Sequence, residues 1–215
     1  MAEDEKKAAD GKGAEKKAAN QETPEQKRQK FLIDYDAARR KIASGNLDNI
    51  AKGAEEAKKI NAYDLMQRAG NEYEIAASNA KGSPEEVAAK RKEYLGRAAE
   101  LYKALAGQGE YSPGRRVAHK LLELGDLINA MALAEQAEAV SLLGRVGEAA
   151  EKAGQHELAA QAYIASGYDA ALGRVMESWS PANGWGSYVL EQQARVKKIF
   201  EDRKPKKGDK NAQSN

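Results

Sequence analysis

Two histidines, His119 and His156, are the only imidazoles in the chain, and no cysteine accompanies them. Metal binding and general-base chemistry recur in local pairings such as HExxH, and no HExxH or HxxxH occurs here. His156 follows Gln155 at a predicted turn and reads as a solvated turn residue. His119 lies on a predicted helix beside Lys120. Without cysteine there is no disulfide, zinc–thiolate site or cysteine nucleophile. The carboxylates fall in EE, DE and alternating Glu/Lys patterns, which mark solvated helix faces. No GxxxxGK[ST], GxGxxG or GxSxG appears. The chain is therefore expected to be non-enzymatic, with no catalytic residue, no metal and no cofactor.

The residues left for recognition are tryptophans and basic side chains. Trp179 and Trp185 flank SPANG within the predicted loop SWSPANGWGS (178–187). They read either as a plug for the end of a helical stack or as a partner-binding anchor, since Trp is enriched at interface hot spots. Arg115 and Arg116 open a predicted helix. A basic run starts at Arg195 and offers Lys197, Lys198, Arg203, Lys204, Lys206 and Lys207 for contact with a polyanion.

The elements that must carry these residues are helical. Of 215 residues, 41% are hydrophobic, 32% charged and only 6% aromatic, with Ala prominent. Ala has the best helix propensity and lets helices approach closely. The 35 basic and 33 acidic side chains leave a net charge of +2, which argues against polyanion binding by bulk charge. Residues 1–22 and 203–215 are charged and nearly devoid of large apolar side chains, so both are expected to be disordered. The N-terminus shows no signal-peptide core and no window reaches membrane-spanning length. A cytoplasmic protein with one helical-repeat domain over 23–202 is the expectation.

Thr23-Pro24-Glu25-Gln26 and Ser83-Pro84-Glu85-Glu86 are capping boxes and predict two helix starts. The first predicted helix carries Phe31, Leu32, Tyr35, Ala38 and Ile42 at helical spacing and ends at Ser44-Gly45-Asn46. A second carries Leu47, Ile50, Ala54, Ala57 and Ile60. A third runs from Tyr63 with a break expected near Gly70-Asn71. After the long helix opened by Ser83, GQGEYSPG (107–114) predicts a loop. Helices are then expected over 113–124, 126–138, 140–153, 155–166 and 168–177, with a last one from Tyr188 to Phe200.

Residues 140–166, VSLLGRVGEAAEKAGQHELAAQAYIAS, place Leu143, Val146 and Gly147 on one helix, Gly154 at a turn, and Ala159 and Tyr163 on the next. Val117, Ala118, Leu121, Gly125, Ala130 and Ala134 fit the same frame. Ala37, Ala38, Gly45, Ile50 and Ala54 do so more weakly, and a further trace has its turn at Gly70. This pattern resembles a degenerate tetratricopeptide-like repeat, and is similar to the α-solenoid segments of coatomer-like and intraflagellar-transport scaffolds. It departs from the family pattern at Ala150, where an aromatic is usual, and in lacking a closing Pro. The resemblance implies an all-α fold of antiparallel helical hairpins, stacked as a short right-handed α-solenoid; an irregular helical bundle is the alternative.

The resemblance also implies a scaffold or adaptor that binds another protein in a helical groove. The inward faces of the first helices would present Arg115, His119 and Leu122, then Glu148, Glu151 and Lys152. A ribosome- or nucleic-acid-associated protein using its Lys-rich tails, and a homo-oligomeric structural subunit, are the alternatives.

Overall fold

The structure, a computed structural model, describes residues 22–179, 191 and 194–199. Among them every regular element is an α-helix and none is a strand. No described helix is long and apolar enough to cross a membrane. The chain divides into two units between Leu65 and Met66.

In the first unit, α1 (Pro24–Ile42) and α2 (Leu47–Lys59) form a hairpin. The capping box at Thr23 is formed: its hydroxyl accepts from the Gln26 amide at 3.2 Å, and the Gln26 side chain accepts from the Thr23 amide at 2.8 Å. Asn46 caps α2, its side-chain oxygen accepting from the amides of Asp48 and Asn49. The helices meet through small residues. A Cβ placed on Gly53 would lie 2.8 Å from the Ala38 carbonyl oxygen, so that interface requires glycine. Ala38 and Ile42 are buried, as expected, but Phe31, Leu32 and Ile33 are exposed. The turn at Gly45 stands where the sequence places it. α3 (Tyr63–Ser78) begins in this unit and continues into the next.

The second unit contains the rest of α3, then α4 (Pro84–Ala106), α5 (Ser112–Glu123), α6 (Leu127–Gln136), α7 (Val140–Lys152), α8 (His156–Ser166) and α9 (Asp169–Ser178). Residues 194–199 are also helical. The Ser83 capping box is formed. From α4 onward each helix packs on the next, and α4 also meets α6, α5 meets α7, and α6 meets α8. Contacts of this order build a stack of helical hairpins, in which each pair buries the face its neighbour leaves open.

Four consecutive turns share one geometry. Gly125, Glu138, Gly154 and Gly167 each adopt a positive φ, and the residue after each donates its amide to the carbonyl five residues back: Asp126 to Leu121, Ala139 to Ala134, Gln155 to Ala150, Tyr168 to Tyr163. This Schellman closure satisfies carbonyls at a helix end and turns the chain tightly. Corresponding turns lie 29 residues apart, from 125 to 154 and from 138 to 167. The same interval carries Leu143-Gly144-Arg145-Val146 onto Leu172-Gly173-Arg174-Val175, and Arg116-Val117 onto Arg145-Val146. Val117, Val146 and Val175 are all fully buried at the matching point of α5, α7 and α9. The register is shorter than the 34 residues usual for tetratricopeptide repeats.

Two expectations are corrected. α3 runs unbroken through Gly70, so no turn and no repeat boundary stand there. Gly70 is instead the floor under a tyrosine ring: an added Cβ would lie 2.6 Å from Tyr102. The loop at 107–114 is also shorter than predicted. Ser112, Pro113 and Gly114 already belong to the first turn of α5, where proline is well tolerated because the first amides of a helix have no helical acceptor.

Candidate functional site

The arginines of the 29-residue register decide the surface chemistry of the hairpin stack. Arg116, Arg145 and Arg174 occupy equivalent points on α5, α7 and α9, and each reaches back toward a preceding helix.

At the first point the partner is Glu74 on α3. Its carboxylate accepts from Arg116 Nε at 3.0 Å and Nη2 at 2.6 Å, from Lys120 Nζ at 2.8 Å, and from the Tyr102 hydroxyl at 2.9 Å. Glu74 is only 7% exposed. Burial by itself would raise its pKa, but the hydrogen bonds from Arg116, Lys120 and Tyr102 outweigh that and hold it at about 2. Burial, and then the Glu74 charge, push the Tyr102 hydroxyl well above the usual tyrosine value.

At the third point Arg174 forks onto Glu151, with both contacts at 3.1 Å, and the Tyr163 hydroxyl donates to the same carboxylate at 2.9 Å. Arg174 lowers the pKa of Glu151, helped by Tyr163 and opposed by partial burial. Burial and the Glu151 hydrogen bond raise Tyr163 to about 12. The two arrangements share a local rule. A glycine stands one turn before each glutamate, Gly70 before Glu74 and Gly147 before Glu151, and the tyrosine ring lies over it. Only glycine leaves room for a ring to lie flat against the helix there, which is what brings the hydroxyl to the carboxylate.

The middle point lacks the acid. By the register, Leu122 stands where Glu151 stands, and Ala134 where Tyr163 stands. Arg145 bonds instead to His119, Nη1 to Nε2 at 2.7 Å, and this is its one hydrogen bond among the described residues. His119 Nδ1 lies 3.2 Å from Glu123 Oε1, so the ring stands between Arg145 and Glu123. Beside Arg145 a cleft of about 390 Å³ opens between α5 and the start of α7, with Arg115, His119, Glu138 and Ser141 in its wall. Arg115 donates Nε to the Ala137 carbonyl at 2.8 Å and stacks on Tyr111, whose hydroxyl reaches Glu138. The wall therefore carries two guanidinium groups against one carboxylate. α7 begins here at Val140, and its N-cap residue, Ala139, has no side chain able to cap it.

The structure brings Arg115 and His119 into one cleft, with Leu122 half-buried one turn further along. Glu148 and Lys152 are exposed on α7 outside it. Glu151 is already held by Arg174 and Tyr163. Trp179 is 7% exposed and stacks on His156 with ring centroids 6.4 Å apart, so its ring is packed within the fold. His156 correspondingly sits half-buried at the first position of α8, in place of the solvated turn expected. Lys197 and Lys198 are exposed. Trp185, Arg203, Lys204, Lys206 and Lys207, with nearly all of both tails, lie outside the described residues. Sequence reasoning missed Arg145, although the repeated Leu-Gly-Arg-Val at 143–146 and 172–175 marks its position. Among the described residues, no group of three His, Asp or Glu side chains is placed to hold a metal ion.

Comparison of the chain with protein-family models, with curated proteins and with solved structures finds no match.

Proposed function

We propose that the chain is a non-enzymatic interaction scaffold that holds a segment of another protein on the surface of its hairpin stack. What supports this reading is the register itself. A helix stack repeated at a fixed interval presents equivalent side chains in a row, and here one member of the row faces an open cleft. Stacked hairpins of this kind present extended surfaces suited to polypeptide recognition. The tetratricopeptide-like resemblance points the same way, with the shorter repeat as its main departure.

The test is capture from lysate by the immobilised full-length chain, with and without nuclease, beside a variant carrying Lys197→Glu and Lys198→Glu. A discrete protein partner that survives nuclease and the tail substitutions is the expected result. Recovery of nucleic acid or ribosomal material that is lost with either treatment would replace this reading with a polyanion-binding one. A doubled solution mass with no captured partner would favour a homo-oligomeric subunit.

A further inference from the structure

The three register arginines make an internal comparison. In two of them a planar guanidinium forks onto, or chelates, a carboxylate supplied by the preceding hairpin: Arg116 with Glu74 and Arg174 with Glu151. In the third, the chain supplies leucine and alanine where the glutamate and tyrosine would stand. Among the described residues Arg145 has a single hydrogen-bond partner, His119 Nε2, with a cleft beside it. An arginine fork matches a carboxylate in both geometry and charge.

We infer that the cleft between α5 and α7 binds an acidic peptide segment of the partner protein, whose Asp or Glu side chain takes the place at Arg145 that Glu74 and Glu151 take at the other two arginines. This rests on the scaffold reading and names the chemistry of its partner. The wall suits such a segment. Arg115 adds a second guanidinium, and Glu138 is the one opposing carboxylate. The Ser141 hydroxyl offers a hydrogen bond to peptide backbone, and Val140, 50% exposed, offers an apolar contact. A cleft of about 390 Å³ falls at the lower end of ligand-pocket sizes, roughly 300–1,000 Å³, which fits a short extended segment rather than a domain face. A carboxylate is favoured over a phosphate because carboxylates occupy the forks of the other two register arginines, Arg116 and Arg174, in this same molecule.

The test uses the full-length chain and two variants that disable the position in opposite ways. Arg145→Gln removes the fork. Leu122→Glu keeps it but supplies the missing carboxylate from within the chain. The probe is a degenerate dodecapeptide library displayed on phage. The wild-type chain should enrich sequences bearing Asp or Glu at a fixed position. A synthetic peptide of the enriched sequence, with its C-terminus amidated, should bind each variant at least about tenfold more weakly than wild type, a loss of about 1.4 kcal/mol. Replacing its acidic residue by the matching amide should cost a similar factor on wild type and little on Arg145→Gln. Circular dichroism checks folding; should Leu122→Glu unfold, Arg145→Gln, altered at an exposed side chain, carries the test alone. No acidic enrichment, equal affinity for wild type and Arg145→Gln, binding that requires a free C-terminal carboxylate, or a homodimer that dissociates on Arg145→Gln would each overturn the inference. The first two of these leave the scaffold reading standing if a nuclease-resistant partner is still captured, so the two failures are distinguishable.

Discussion

Glu74 and Arg145 stand in the same kind of place and do opposite things. Around Glu74 the chain gathers two cations and a tyrosine hydroxyl on one buried carboxylate, and everything charged there is satisfied from within. Around Arg145 it provides a cation and, among the described residues, no carboxylate bonded to it. The 29-residue register makes this difference readable. When two of three equivalent arginines are paired with a carboxylate, the third, lacking one, is either tolerated at the surface or completed by something else. The first case predicts that Arg145 contributes nothing measurable; the second predicts binding.

The comparison breaks most sharply at Glu74. Glu74→Gln removes the anion with which Arg116 and Lys120 pair among the described residues. Breaking a buried pair by removing one partner costs about 3–5 kcal/mol, and because both cations are partly exposed the lower end, about 3 kcal/mol, is expected. Glu151→Gln should cost about 1 kcal/mol, since that carboxylate is more exposed. Urea unfolding of the two variants compares them directly. Equal losses would mean that burial does not grade the two sites, and that the contrast with Arg145 is weaker than the geometry implies.

Acid should act on the same residue. The folded-state pKa of Glu74 is lowered from 4.5 to about 2. A carboxylate with a depressed folded pKa stabilises the protein fully above its unfolded value and loses that stabilisation as pH falls through the folded one. Stability should therefore decline between about pH 4.5 and pH 2, by an amount on the order of 2–3 kcal/mol. Glu74→Gln should flatten that part of the profile. A wild-type profile that is already flat there would show that Arg116 and Lys120 do not hold the charge as tightly as their distances indicate.

The tyrosine floors come next. At Gly147 an added Cβ would lie 2.5 Å from the Tyr163 ring, which is fully buried and tied by its hydroxyl to Glu151. Overpacking of this kind costs roughly 1–3 kcal/mol, against about 1 kcal/mol returned by alanine's better helix propensity. Gly147→Ala should thus destabilise by up to about 2 kcal/mol. It should also lower the Tyr163 pKa from about 12 toward the ordinary tyrosine value, read by spectrophotometric titration, because the displaced hydroxyl no longer reaches Glu151. An unchanged titration would mean that the ring position does not depend on the glycine.

Much of the helical framework was readable because its signals are local. Thr23 and Ser83 announce their helices within four residues, and Gly125 and Gly154 mark turns that only a residue tolerant of positive φ adopts easily. Gly70 misled for a physical reason. Glycine marks a turn and a close approach with the same letter, and the ring that needs this one, Tyr102, lies more than thirty positions away along the chain. The charge arrangement was illegible on the same ground. Glu74 and Arg116 are 42 residues apart, and only the stacking of hairpins brings them together. Arg115 and His119 share a helix face, so their spacing alone groups them; Arg145, on the next first helix, needed the 29-residue register to be seen.

The smallest effect tests that register most cleanly. Gly144 and Gly173 occupy equivalent points of the repeated Leu-Gly-Arg-Val, yet their surroundings differ. A Cβ on Gly144 would run into the Tyr168 ring, whereas no described residue lies within 4 Å of a Cβ on Gly173. Both sit in helix interiors, where glycine is about 1 kcal/mol less favourable than alanine. Gly173→Ala should therefore stabilise by roughly 0.5–1 kcal/mol, as such substitutions do where the backbone already suits alanine. Gly144→Ala should gain less, or lose, by whatever it costs to swing Tyr168 aside; that ring is 45% exposed and has somewhere to go. The difference between the two in thermal unfolding measures how far the stacked hairpins have diverged at one register position. If Gly173→Ala destabilises as much as Gly144→Ala, the space drawn around α9 is filled in solution, and the equivalence of α7 and α9 on which the reading of Arg145 depends would need to be redrawn.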